Sequence, residues 1–170
     1  MTTFSERLSR RWRHFRTTSA QGRSMFSAEA LANIGAAITA GEQRHRGEMR
    51  LIVEHAMPAE AIWDDVSNRQ RAIALFAQYG VWDTEDNCGV LIYVNLAERK
   101  VDIVADRNID RKIDPATWQQ VCGVMTQGFA KGDFEVSTLA AVERVNGLLE
   151  QHFAATGPRA NELPDHPLVL

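Results

Sequence analysis

The sequence predicts a single-domain α/β/α sandwich, with helices flanking both faces of a small mixed sheet of three or four strands. Three observations carry this. The hydrophobic period switches repeatedly between about 3.6 residues, the helical repeat, and about two, the strand repeat. One run, GVLIYVNL, is almost continuously apolar, as in a strand buried on both faces. Finally, 170 residues with 45% hydrophobic and 24% charged content suffice for one core and are cramped for two.

Residues 1–24 form a basic amphipathic arm. Arg7, Arg10, Arg11, Arg13, Arg16 and Arg23 stand against Glu6 alone, a balance of +5 that leaves the remaining 146 residues at −8. Phe4, Leu8, Trp12 and Phe15 share one stripe of a helix, with arginines on the other side. Such a helix packs on its own domain, lies on an anionic membrane surface or docks on a protein partner, and the pattern leaves all three open. A linker is expected at Thr17–Arg23. Ser27 then caps a helix in which Leu31, Ile34 and Ile38 recur up to Gly41. In EMRLIVEHA, Met49, Leu51 and Val53 alternate on one side of a strand that Pro58 closes. The stripe Ile62, Val66, Ile73 and Phe76 predicts one helix over 59–79, stopped at Gly80.

GVLIYVNL is the central strand, LAERK the turn and VDIVA the returning strand, so a hairpin spans Gly89–Ala105. Asp114 and Pro115 open a helix carrying Trp118, Val121, Met125 and Phe129 to a stop at Gly132. Leu139, Val142, Val145, Leu149 and Phe153 mark the last helix of a domain over residues 25–154, and residues 155–170 form an extended tail.

Connectivity gives the strand ends meaning. A right-handed crossover makes the first two strands parallel, and the hairpin reverses the third. One sheet end then gathers Glu42, His45 and Glu48, then Asp83, Glu85, Asp86 and Asn87, then Asp106, Arg107 and Asn108. Converging carboxylates suit a hard cation such as calcium or magnesium, with Asp86 and Asp106 the leading pair and Asn87 and Glu48 beside them. The alternative is a set of solvated turns in which Asp106 caps the next loop. His45 is a candidate general acid or a loop hydrogen-bonder, and Arg107 an anion contact or a surface ion pair. Arg69 either reaches towards anions at this end or snorkels to water.

Other classes lack support. Cys88 and Cys122 form no CxxC, and acids beside Cys88 raise its thiol pKa. GxSxG, Walker and GxGxxG motifs are absent, so no organic cofactor is expected. The acidic body disfavours nucleic acid, and the four tryptophans are too scattered to stack bases. With neither an eighteen-residue apolar run nor a secretory signal, the chain is expected to be cytoplasmic and not transmembrane.

The segments GEMRLIVE, RAIALFAQYGVWDTEDNCGVLIYVNLAERKVDIVADRNID and EVSTLAAVERVNGLLEQHF resemble the TPM domain. That family includes a thylakoid-lumen phosphatase-like protein and a photosystem II repair factor. NELPDHPLVL is similar to the tail of a soluble proteobacterial subgroup. The resemblance implies an α/β/α sandwich, a divalent ion held near these strand ends by Asp86 and Asp106 with Asn87 and Arg107 beside them, and weak acid-phosphatase activity. Two functions follow as expectations. One is an interaction or assembly module, with or without a stabilising metal, whose arm meets a protein partner or an anionic membrane. The other is a metal-dependent phosphomonoesterase in which Arg107 or Arg69 stabilises charge and His45 donates a proton.

Overall fold

The structure, a computed structural model, describes residues 4–170. Residues 1–3 of the arm lie outside the described residues, as does the side chain of Phe4, the first member of its aromatic stripe. In chain order the elements are α1 (Phe4–Arg16), α2 (Ser19–Met25), α3 (Ala28–Glu42), β1 (Glu48–Glu54), α4 (Ala59–Trp63), α5 (Asn68–Gln78), β2 (Gly89–Asn95), β3 (Lys100–Ala105), α6 (Arg107–Asp110), α7 (Pro115–Lys131), α8 (Phe134–Phe153) and β4 (Leu168–Val169). The sheet order is β3-β2-β1-β4. β1 runs parallel to β2 with Glu48 opposite Gly89, and β3 returns antiparallel with Ala105 opposite Val90. β4 adds parallel to β1 at Ile52 and Val53.

Strand alternation sorts the side chains into two cores. Met49, Leu51, Val53, Val90, Ile92 and Val94 meet Ile34 and Ile38 of α3, Met125 of α7 and Leu149 of α8. On the other face Ile52, Leu91, Tyr93 and Val104 pack with Ala72 and Leu75 of α5 and with Leu163 of the tail. Both faces are therefore covered, which is why all seven residues of β2 are buried and none alternates with polar sequence. Each fully buried aliphatic side chain contributes about 1.5–3 kcal/mol.

Local signals place most boundaries. Ser27 accepts from the Ala30 N–H, Asp114 from Ala116 with Pro115 in the first turn, and Gly132 ends α7 at φ 88°. Three expectations are corrected. Thr18 and Gln21 form a capping box, so the expected linker becomes α2. The single helix expected over 59–79 is two, because Asp65 turns left-handed at φ 53° and Ser67 caps a new helix with Gln70. That break rotates α5, so Ala72 and Leu75 are buried while Ile73 is 49% exposed. The tail is also more than an extended appendix, since it supplies β4.

Candidate functional site

The three acidic segments share one rim. Glu48 N–H donates to the Cys88 carbonyl at 3.0 Å, and Asp106 N–H to that of Gly89 at 2.9 Å. The turn before β2 is held by Cys88 N–H donating to Thr84 Oγ1 at 2.9 Å. Asn87 lies at φ 51°, which asparagine tolerates better than most residues. At Gly89 a Cβ would fall 1.8 Å from the Val81 carbonyl oxygen, so only glycine fits. Asn108 Nδ2 donates to the Asp86 carbonyl at 2.8 Å and ties the exit of β3 to this turn.

The segments meet, but the side chains have separate partners. Asp86 accepts from Arg159 at 2.5 Å and Arg46 at 3.4 Å. Asp106 caps α6, taking the Arg107 N–H on Oδ1 at 2.6 Å, while its buried Oδ2 has no partner among the described residues. Asn87 and Arg107 are exposed. Glu48 turns to the tail and accepts from the N–H groups of Glu162 and Leu163, both at 3.2 Å. His45 is buried, with Nδ1 at 3.1 Å from the Gly47 carbonyl and Nε2 at 3.1 Å from Asn146 Oδ1, and burial lowers its pKa. Arg69 does not join the rim. It donates to the Ile103 carbonyl within β3 and lines a separate cavity of about 550 Å³ with Trp118 and Cys122.

Beside the rim lies a cavity of about 520 Å³ lined by Thr39, Glu42, Glu48, Arg159, Asn161 and Asp165. Glu42 accepts the Met49 N–H at 2.7 Å, yet burial, reinforced by the charges of Glu48 and Asp165, pushes its pKa up to about 9. It therefore holds a proton at neutral pH. Burial raises Glu48 as well. Calcium requires about six to eight converging oxygens. The rim does not gather that many, because Asp86 is paired with Arg46 and Arg159, Asp106 caps α6 and Glu48 accepts two backbone N–H groups of the tail. Among the described residues no group of three His, Cys, Asp or Glu side chains could hold a metal ion. Burial, then Asp86, pushes the Cys88 thiol up, which leaves it a poor nucleophile.

The opposite end of the sheet carries a dense charge network. Glu98 in the hairpin turn has a side chain only 3% exposed and meets Arg10 at 2.6 Å, Lys100 at 3.0 Å and His14 at 3.2 Å. His14 in turn accepts the Met57 N–H at 3.1 Å, and Arg7 pairs with Asp65 at 3.0 Å. Helix α1 thus packs on its own domain through its basic face. Its apolar stripe points out, with Leu8 47%, Trp12 62% and Phe15 70% exposed. A groove of about 210 Å³ lined by Phe15, Met57, Ile62 and Trp63 extends that surface, and Arg11 lies 4.2 Å over the Trp63 ring. Arg13, Arg16, Arg23 and Arg99 are exposed and form no ion pair among the described residues. The helical repeat states which side chains share a face, and a buried acid inside a charged turn gives no signal of which face docks.

A profile of the TPM domain matches residues 20–148. The chain belongs to the TPM domain family. Among solved structures this TPM domain is similar to the NMR structure of BA42 protein from the psychrophilic bacterium Bizionia argentinensis sp. nov., with a TM-score of 0.74. The two are 23% identical over 85% of this chain and 94% of that one, a likeness of fold. No curated protein sequence matches the chain. α1 and the tail both lie outside the span matched to the TPM domain.

Proposed function

We propose that this TPM domain protein is a non-catalytic interaction module that docks on an anionic membrane surface through α1. The observation behind the reading is the orientation of that helix: its cations reach inward to Glu98 and Asp65, and Trp12, Phe15 and Trp63 are left facing solvent. Contiguous exposed aromatics mark a contact surface. Charge complementarity chooses the occupant. Arg13, Arg16 and Arg99 line one hollow with Trp12 while the chain after the arm carries a net −8, so an anionic bilayer attracts this end and repels the other. Three such arginines contribute about 3 kcal/mol on an anionic leaflet, with aromatic insertion adding to it. No helix among the described residues is long and apolar enough to cross a membrane, so the contact is peripheral. The free thiols of Cys88 and Cys122 fit a reducing compartment and favour the cytoplasmic leaflet.

Co-sedimentation with vesicles tests this. The protein should pellet with phosphatidylglycerol–phosphatidylcholine vesicles, with a blue shift in tryptophan emission, and stay in solution with phosphatidylcholine alone. Binding should weaken as salt rises. Trp12→Ala with Phe15→Ala should remove binding and leave the thermal melt in place. Failure to pellet with anionic vesicles sinks the reading, and a concentration-dependent dimer abolished by the same substitutions would instead put a second copy on this face.

A further inference from the structure

Strand β1 carries charged residues in a place where charge is costly. Glu48 and Arg50 are 5% and 8% exposed, two residues apart on the face away from α3, α7 and α8. Arg50 has no carboxylate within ion-pair distance among the described residues. It donates instead to the carbonyls of Pro164 and His166, the latter at 2.7 Å. Glu48 accepts two successive backbone N–H groups, those of Glu162 and Leu163. A buried acid and a buried base thus read the main chain of one extended segment. Further along, Leu168 and Val169 pair with Ile52 and Val53, and His55 N–H donates to the Leu170 carbonyl at 3.0 Å.

Side chains of the segment fill the same groove. Leu163 is buried and Leu168 and Leu170 pack against the core formed by Ile52, Leu75 and Tyr93. Pro164 and Pro167 fall where only carbonyls or apolar surface are required of the segment, so their missing N–H groups cost nothing. Strand addition plus pockets for alternate side chains is how sheet edges recognise peptides. The anchorage is also short. β4 has two residues, and the stretch 157–162 leading to the clamp is exposed. Such a strap opens more readily than the sheet it covers.

We propose that the β1 edge with Glu48 and Arg50 is a peptide-binding groove, and that residues 161–170 are a resident occupant exchangeable for the same segment of a second copy of this chain. Exchange of an identical element is a low-cost route between monomer and dimer. The proposal does not depend on the membrane reading of α1, which lies at a different surface.

The probe is a fluorescent synthetic peptide of residues 161–170, added to the full chain. Its apparent affinity is reduced by the fraction of molecules whose groove is already filled in cis. Leu163→Ser with Leu168→Ser in the chain weakens the resident segment and should tighten binding of the added wild-type peptide by about tenfold or more. Arg50→Met in that background should abolish it, and light scattering should show a dimer fraction in the wild type that rises with concentration. A tail that merely completes the fold gives the opposite result: the double variant gains no peptide binding, or loses its circular dichroism and near-ultraviolet signals as a whole. Either of those outcomes overturns the proposal.

Discussion

Glu98 and Glu42 stand at opposite ends of the same sheet, both withdrawn from water, and titrate in opposite directions. For Glu98 burial opposes ionisation, but hydrogen bonds from His14, Arg10 and Lys100 outweigh it and hold the carboxyl well below its ordinary range. Glu42 forms no ion pair among the described residues, and burial, with the charges of Glu48 and Asp165, carries it to about 9. A count of charges assigns −1 to each. The structure makes one a fixed anion that fastens a helix and the other a neutral acid beside a cavity. What separates them is the delivery of cations by α1, from sequence more than eighty residues away.

Breaking the Glu98 end should have the largest effect. Glu98→Ala leaves Arg10 and His14 facing a buried site with no anion, and loss of one member of such a network costs about 3–5 kcal/mol. Urea unfolding reads this directly, and a variant within error of the wild type would show that α1 contributes nothing to stability. It follows that deleting residues 1–24 is a poor test of membrane docking, because it strands Glu98 as well. The sign for Glu98 is that of a depressed acid. Its contribution is present above the unfolded pKa of about 4.3 and is lost as pH falls through the folded value.

Glu42 has the reverse sign, and across any one pH unit its effect is smaller. With its folded pKa raised, the native state holds a proton that the unfolded chain releases, so stability declines as pH rises from about 4.5 towards 9, by at most about 1.4 kcal/mol per pH unit. Glu42→Gln should flatten that slope and melt higher than the wild type at pH 8. An unchanged slope would assign the proton elsewhere. Smaller again is Asp86→Asn. Its partner Arg159 is a quarter exposed, as is Asp86, so the change should cost less than about 1 kcal/mol. Smallest is calcium. In excess it should leave the melt unmoved, whereas a saturable rise, about 2.7 kcal/mol at a hundredfold over Kd, would show that the rim rearranges into a cation site.

The architecture was legible because it rests on local signals that tertiary structure did not override. The Ser27 cap, the Asp114–Pro115 start, the Gly132 stop and the two-faced burial of GVLIYVN all lie within short stretches. Chain direction then brought Asp86, Asn87 and Asp106 to one rim, as the topology requires. Their partners were not legible, because Arg46 and Arg159 arrive from outside the strands. Neither was the second use of β1. Alternation of Met49, Leu51 and Val53 with Glu48, Arg50 and Glu54 reads as one buried and one wet face. In the fold Arg71 and Tyr93 satisfy Glu54, at 2.5 and 2.6 Å, and the tail covers the rest.

The short loop after β1 holds both outlying segments. His55 N–H holds Leu170, and two residues on Met57 N–H holds His14. One short loop therefore ties the first helix and the last strand to the centre of the fold, and lengthening it would loosen both segments together.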